Sequence, residues 1–231
     1  QISPFSSIEA PIGIEKGAFE NLISAIPTAD THFLNLIVRV IKTPIPYTLT
    51  IGSSFFFIDA KNEWASASVP ISAILKTFNT AQIFEEASLV ALDESHPDAA
   101  ILLRGDARQN RIGKRLELVI WELVSRSLKD IPLKATQDIS FRLRRFPNFT
   151  QIEQTTALDL QLAAICALSP QSLYRLFKTI PQREADIMRF VILCIMTGSL
   201  EVIPGKTLAV IPEQPRFVSP ERRGLFRSLL D

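Results

Sequence analysis

The clearest hydrophobic rhythm in the chain lies between Thr155 and Ile211, where three helical periods precede two short β-prone runs. Over 156–167, Leu158, Leu162, Ile165 and Cys166 recur close to one helical face and predict a first helix. Ser169-Pro170 reads as a cap followed by proline at the first position of a second helix. That helix carries the stripe Leu173, Leu176, Phe177 and Ile180, with Gln171, Arg175 and Lys178 facing outward. Thr179 and Pro181 bracket the start of a third helix, which runs to about Thr197 and is closed by Gly198 in a left-handed conformation. Leu200–Ile203 and Lys206–Ile211 flank Pro204-Gly205 as a hairpin. The third helix is apolar on almost every side: Ile187, Met188 and the run Phe190–Met196 leave little polar surface beyond its first two turns. Such a helix is expected to be hidden by protein all round.

The first half mixes both periods. Gln1–Gly13 reads as an extended arm. Lys16–Ile26 (Phe19, Leu22, Ile23, Ile26) and Thr31–Ile41 (Phe33, Leu34, Ile37, Val40, Ile41) read as helices, the second capped by Asp30. Tyr47–Ile51, Phe55–Ile58 and Glu63–Ser68 read as strands of an antiparallel sheet, and the unbroken apolar run Phe55–Ile58 is expected to be covered on both faces. Pro70–Phe78 and Thr80–Ala87 are helical pieces, Ser88–Leu92 a strand, Ala99–Arg104 a strand with helix as the alternative, and Asp106–Lys114 a polar basic loop. Arg115–Leu128 is a helix burying Leu116, Val119, Ile120, Leu123 and Val124. Ile139–Phe146 alternates as a half-buried strand that Pro147 stops. The expected fold class is α+β. An N-terminal α/β domain with a small, mostly antiparallel sheet (1–150) is followed, after a seam at Pro147–Gln154, by a C-terminal winged-helix-like domain (151–212). A tail (213–231) closes the chain, with Leu225, Phe226, Leu229 and Leu230 on a short helix.

The helix, helix, helix, hairpin order of 155–211 resembles the winged-helix superfamily, over about a quarter of the chain. The resemblance implies a third helix that either reads a DNA groove or docks protein. Groove reading needs polar side chains on base edges and Lys or Arg on phosphates. The greasy third helix supplies almost none, so docking is the expectation.

Charge refines this picture. The net charge of +1 argues against a surface made for nucleic acid or membrane as a whole. Residues 1–100 nevertheless hold 5 basic and 11 acidic residues, and residues 101–150 hold 11 and 5. The two segments are expected to pair with each other. Arg104, Arg108, Arg111, Arg142, Arg144 and Arg145 are the candidate anion or nucleotide binders, because the guanidinium fork matches carboxylate and phosphate. Arg175, Lys178, Arg183, Arg189, Phe190 and Leu193 are the candidate partner surface.

Catalytic chemistry is thinly represented. His32 and His96 are the only histidines, and neither has ligands at metal-site spacing. Nucleophile elbow, Walker loop and dinucleotide fingerprint are missing from the sequence. Arg104-Gly105-Asp106 reads as a turn, and Asn148-Phe149-Thr150 matters as a glycosylation acceptor only in a secretory setting. Cys166 and Cys194 read as buried reduced thiols, which with the lack of a signal-like start suggests a cytoplasmic protein. The longest apolar run is too short to span a bilayer. The expectation is a non-enzymatic regulatory or scaffold protein working through protein contacts as a homodimer or with another protein. By analogy it would serve bacterial signalling, without metal or cofactor. The alternative is a DNA- or cyclic-nucleotide-binding regulator using the arginines. An enzyme built on Asp59, Glu63 or Asp106 comes third.

Overall fold

Alternating burial builds the first sheet. In β1 (Pro46–Ile51) every second residue, Tyr47, Leu49 and Ile51, is buried, as period two requires when one face meets a core. β2 (Ser54–Asp59) returns after a tight turn at Gly52, whose φ of 56° suits glycine, and pairs along its whole length from Pro46↔Asp59 to Ile51↔Ser54. β3 (Trp64–Ala67) pairs with β2, β4 (Ser88–Ala91) with β1, and β5 (Ile112–Arg115) with β3, all antiparallel. The order is β4-β1-β2-β3-β5. Before it stands α1 (Thr31–Lys42), and between β3 and β4 lie α2 (Ile71–Thr77) and a 3-10 turn, Ala81–Phe84.

The sheet is covered unequally. Phe56 and Ile58 face the core, whereas Phe55 is 54% exposed and Phe57 only half-buried. The run Phe55–Ile58 is therefore not sealed on both faces as its composition suggests: a strand of phenylalanines alternates like any other. Ile112–Lys114, read as part of a basic loop, is edge strand. Gly113 permits this, because a Cβ there would collide with the Trp64 indole beside it.

The computed structural model describes residues 31–67, 69–78, 81–92, 112–129, 133, 138–153, 155–181 and 183–203. The readings for 1–30, 93–111 and 204–231 lie outside them: the arm, the first helix, the strand 99–104, the second hairpin strand and the tail. Among the described residues the fold is mixed α+β, with six helices and two antiparallel sheets.

The second half is organised on two buried helices. α3 (Leu116–Ser127) buries Leu116, Leu118, Val119, Ile120, Trp121, Leu123 and Val124, a wider arc than the stripe in its sequence. β6 (Ser140–Leu143) follows, then α4 (Ala157–Leu168), β7 (Gln171–Ser172), α5 (Leu173–Thr179), α6 (Glu184–Met196) and β8 (Leu200–Val202). β6 is the central strand of the second sheet, ordered β7-β6-β8. A strand from before the expected seam at Pro147–Gln154 thus pairs with strands from after it. The seam residues are themselves fastened down. Ile152 joins the core cluster, and the Glu153 N–H donates to Oε1 of buried Glu122 at 2.7 Å.

Two helix starts differ from expectation. Pro170 does not open α5; the cap is Ser172, whose Oγ accepts from the Arg175 N–H at 3.3 Å. Gln171, expected outside, is buried, and its amide donates to Ser169 O and Oγ. Short-range hydrogen bonding has outweighed the proline signal. Likewise α6 starts after Arg183, without a side-chain cap, rather than at Pro181. Two other ends follow the sequence. Thr156 and Asp159 form a reciprocal capping box on α4. Gly198, at φ 70°, ends α6 with Gly198 N–H→Ile195 O at 3.0 Å and Ser199 N–H→Cys194 O at 2.7 Å, the paired bonds of a Schellman turn. Gly198→Ala is expected to destabilise by about 1 kcal/mol, because the methyl has room but the left-handed backbone disfavours it. Chemical denaturation measures this; an unchanged midpoint would show that the turn tolerates a side chain.

Candidate functional site

The third helix of the stretch 155–211 is buried, as its composition demands. In α6, Ile187, Met188 and every residue from Phe190 to Met196 are buried. Phe190 meets Trp121 of α3 edge to face at 6.5 Å. Phe190 and Leu193, proposed as partner surface, are therefore core residues and cannot meet a partner. Arg183 and Arg189 are not free either. Arg183 Nε lies 2.6 Å from Asp186 Oδ2, and Arg189 Nη1 lies 2.8 Å from Oδ1. Arg189 also donates to the Leu128 and Lys129 carbonyls at 3.3 and 3.1 Å. Burial by itself would raise the Asp186 pKa, but the hydrogen bonds and positive charge of Arg183 and Arg189 outweigh it and hold the carboxyl below its ordinary value. Of the six partner candidates, only Arg175 and Lys178 on α5 remain as freely presented side chains.

The arginines of β6 divide. Arg142 and Glu201 are cross-strand neighbours, and Arg142 Nε and Nη2 each lie 3.2 Å from Glu201 Oε2. Arg144, two residues on and on the same strand face, approaches that carboxylate at 3.9 Å. Arg145 turns elsewhere. Its Nη2 donates to Glu117 Oε2 at 2.7 Å and to Thr197 O at 2.6 Å. These partners, with Lys114–Glu153 and Arg126–Glu122, lie outside the acidic first hundred residues. The expected pairing of the two charged segments is not how these cations are satisfied: Glu201 on the neighbouring strand, Glu117 and Glu122 on α3, and Glu153 reach them first. Arg104, Arg108 and Arg111 lie outside the described residues.

Arg115 completes a second group around Glu117. It ends β5, and its Nη2 lies 3.5 Å from Glu117 Oε1. Two guanidinium groups thus bracket one carboxylate. On one side of that bracket is a cleft of about 160 Å³ bounded by Trp121, Phe146, Pro147 and Asn148; on the other a cleft of about 140 Å³ reaches Glu63. Sequence reading had Arg145 as a candidate but missed Glu117, because residues 117 and 145 meet only once α3 and β6 are packed.

The outer face of α4 was also missed. Leu158, Leu162 and Cys166 are buried as predicted, yet the opposite side carries Ala157, Leu160, Gln161, Ala164, Ala167 and Leu168, all exposed and none charged. Leu168 is 87% and Leu160 48% exposed. The signal was legible: twelve helical residues carry a single charge, Asp159.

Chemistry is quiet elsewhere. His32 Nε2 lies 2.8 Å from Ala87 O, at the surface. Asp59 is buried at the end of β2, accepting from Asn62 N–H and Nδ2 at 3.1 and 2.7 Å, while Asp106 lies outside the described residues. Among the described residues no group of His, Cys, Asp and Glu could hold a metal ion, and no helix is long and apolar enough to cross a membrane. Cys166 and Cys194 are free and buried. Desolvation pushes the Cys166 thiol up to about 12, and it raises Cys194 well above the ordinary thiol value, with Cys166 and Asp159 nearby adding to the shift.

A thiol reagent at pH 8 should therefore label neither cysteine in the native protein and both after unfolding; rapid native labelling would place one of them at the surface. Phe190→Ala should cost about 3–5 kcal/mol, whereas Arg175→Ala should stay within about 0.5 kcal/mol. Equal effects in denaturant titrations would contradict the core assignment of Phe190.

No family model matches the chain, and no curated protein or solved structure matches it at a significant level.

Proposed function

We propose that this chain is a non-enzymatic regulatory or scaffold protein that works by docking protein, and that the first protein it docks is a second copy of itself. The observation that carries this is the uncharged outer face of α4. Leu160, Ala164 and Leu168 lie at i, i+4 and i+8, so they form one line along the helix. An exposed apolar line of this kind marks a surface meant to be covered.

The line is symmetric about Ala164. A two-fold axis through Ala164 sets two copies antiparallel, with Leu160 of each against Leu168 of the other, and the small side chain at the centre lets the helices approach closely. The face carries no charge, so a second copy meets no like-charge repulsion. Asp159 is held in the cap at the helix start, away from that centre. Each leucine fully buried contributes about 1.5–3 kcal/mol, and four become covered across the pair.

The order helix, short strand, helix, helix, strand from Ala157 to Val202 supports reading this part as a winged helix whose third helix has been turned inward. In that reading the groove-reading role is given up, because Phe190 and Leu193 pack in the core and Arg183 and Arg189 are engaged by Asp186. Docking passes to the first helix instead.

Sedimentation equilibrium of the full chain tests this. The wild type should be dimeric at tens of micromolar, and Leu160→Glu with Leu168→Glu should be monomeric with an unchanged circular dichroism spectrum. A wild type that stays monomeric, or a double variant that still dimerises, would remove α4 as the contact.

A further inference from the structure

The geometry points to an oxyanion site in the cleft of about 160 Å³ beside Arg115 and Arg145, with a phosphate group as the ligand and a flat ring attached to it as the larger molecule. Arg145 is aimed. One of its terminal nitrogens is shared between Glu117 Oε2 and Thr197 O, which fixes the plane of the guanidinium. Arg115 is not aimed: its 3.5 Å approach to Glu117 is its one polar contact among the described residues, and half of its side chain is exposed. Two cations and one carboxylate line this cleft, so its own wall carries an excess of one positive charge.

The neighbouring cleft shows why the anion belongs on this side. It shares Arg115, Glu117 and Arg145 but adds Glu63, so its lining charges cancel. The first cleft adds instead the neutral side chain of Asn148 and an apolar wall of Trp121 and Pro147, which lowers the local dielectric and strengthens attraction to an anion. A tetrahedral phosphate presents oxygens in several directions and can accept from Arg115, Arg145 and Asn148 together. A second planar carboxylate would compete with Glu117 for the same edge of Arg145. At the rim, Phe146 is 53% exposed although it is a phenylalanine, and the edge of one ring, its own or that of Phe149, meets the face of the other at 5.7 Å. Its exposed surface offers a ring on the ligand a place to stack.

Isothermal titration calorimetry of the full chain at low salt, in a buffer free of phosphate, would use inorganic phosphate, AMP and adenosine as probes. Phosphate and AMP should bind, AMP more tightly, and adenosine should not. Arg115→Gln should weaken AMP by about tenfold or more, the worth of one charged hydrogen bond, with no change in thermal midpoint. Phe146→Ala should bring AMP down to the affinity of phosphate. No heat with phosphate or AMP at millimolar concentration overturns the site, as does adenosine binding as well as AMP, or unchanged binding in Arg115→Gln. The monomeric α4 variant should bind AMP as the wild type does, so the fate of the docking face does not decide this one.

Discussion

The structure depends on the burial of two helices against each other. Leu116–Ser127 and Glu184–Met196 each bury most of their circumference, and the Trp121–Phe190 contact lies between them. Neither can be turned to water without exposing a continuous apolar surface, at about 25 cal/mol for each Å². Every other element of the second half is placed by this pair. The strand Ser140–Leu143 must lie where Phe141 can join the same core, and the segment through Ile152 is drawn onto the first helix and fastened there by Glu122.

That requirement pushes the charges to the rims, where they meet whatever lies nearest. Asp186 takes two arginines, Glu201 takes two, and Glu117 takes two. In each case cations outnumber the carboxylate. Exposed ion pairs of this kind add little to stability, so the pattern matters more for what it leaves over. Beside Asp186, Arg189 is also bound to the carbonyls at the end of Leu116–Ser127 and locked. At Glu201 the two arginines, Arg142 and Arg144, are themselves largely exposed on the small sheet. At Glu117 the surplus charge stands over a cleft with the exposed Phe146 ring at its edge.

Element identities in the chain were mostly legible. The 3.6-residue rhythm of Ala157–Leu168 and Leu116–Ser127, the alternation of Pro46–Ile51 and Ser140–Leu143, and the glycine stop at Gly198 are local, and local physics produced them. Starts marked only by proline were less reliable. At Pro170 and Pro181 a proline is compatible with a helix start but does not compel one: after Pro170 the Ser172 cap sets the boundary, and after Pro181 the helix begins only at Glu184, without a side-chain cap.

By itself the sequence determined which helix must be hidden. Thirteen residues from Glu184 to Met196 with so little polar surface admit no exposed solution. It could not determine who hides it. Only the tertiary structure decided that the cover is the chain's own Leu116–Ser127, which withdraws Phe190 and Leu193 from any partner and leaves Leu160 and Leu168 outside. Only packing, too, brought Glu117 between Arg115 and Arg145. The physical reason is range: periodicity and capping act over a few residues and are written in the sequence one after another, whereas a cleft or a bracketed charge forms between residues that the chain separates and the core alone brings together.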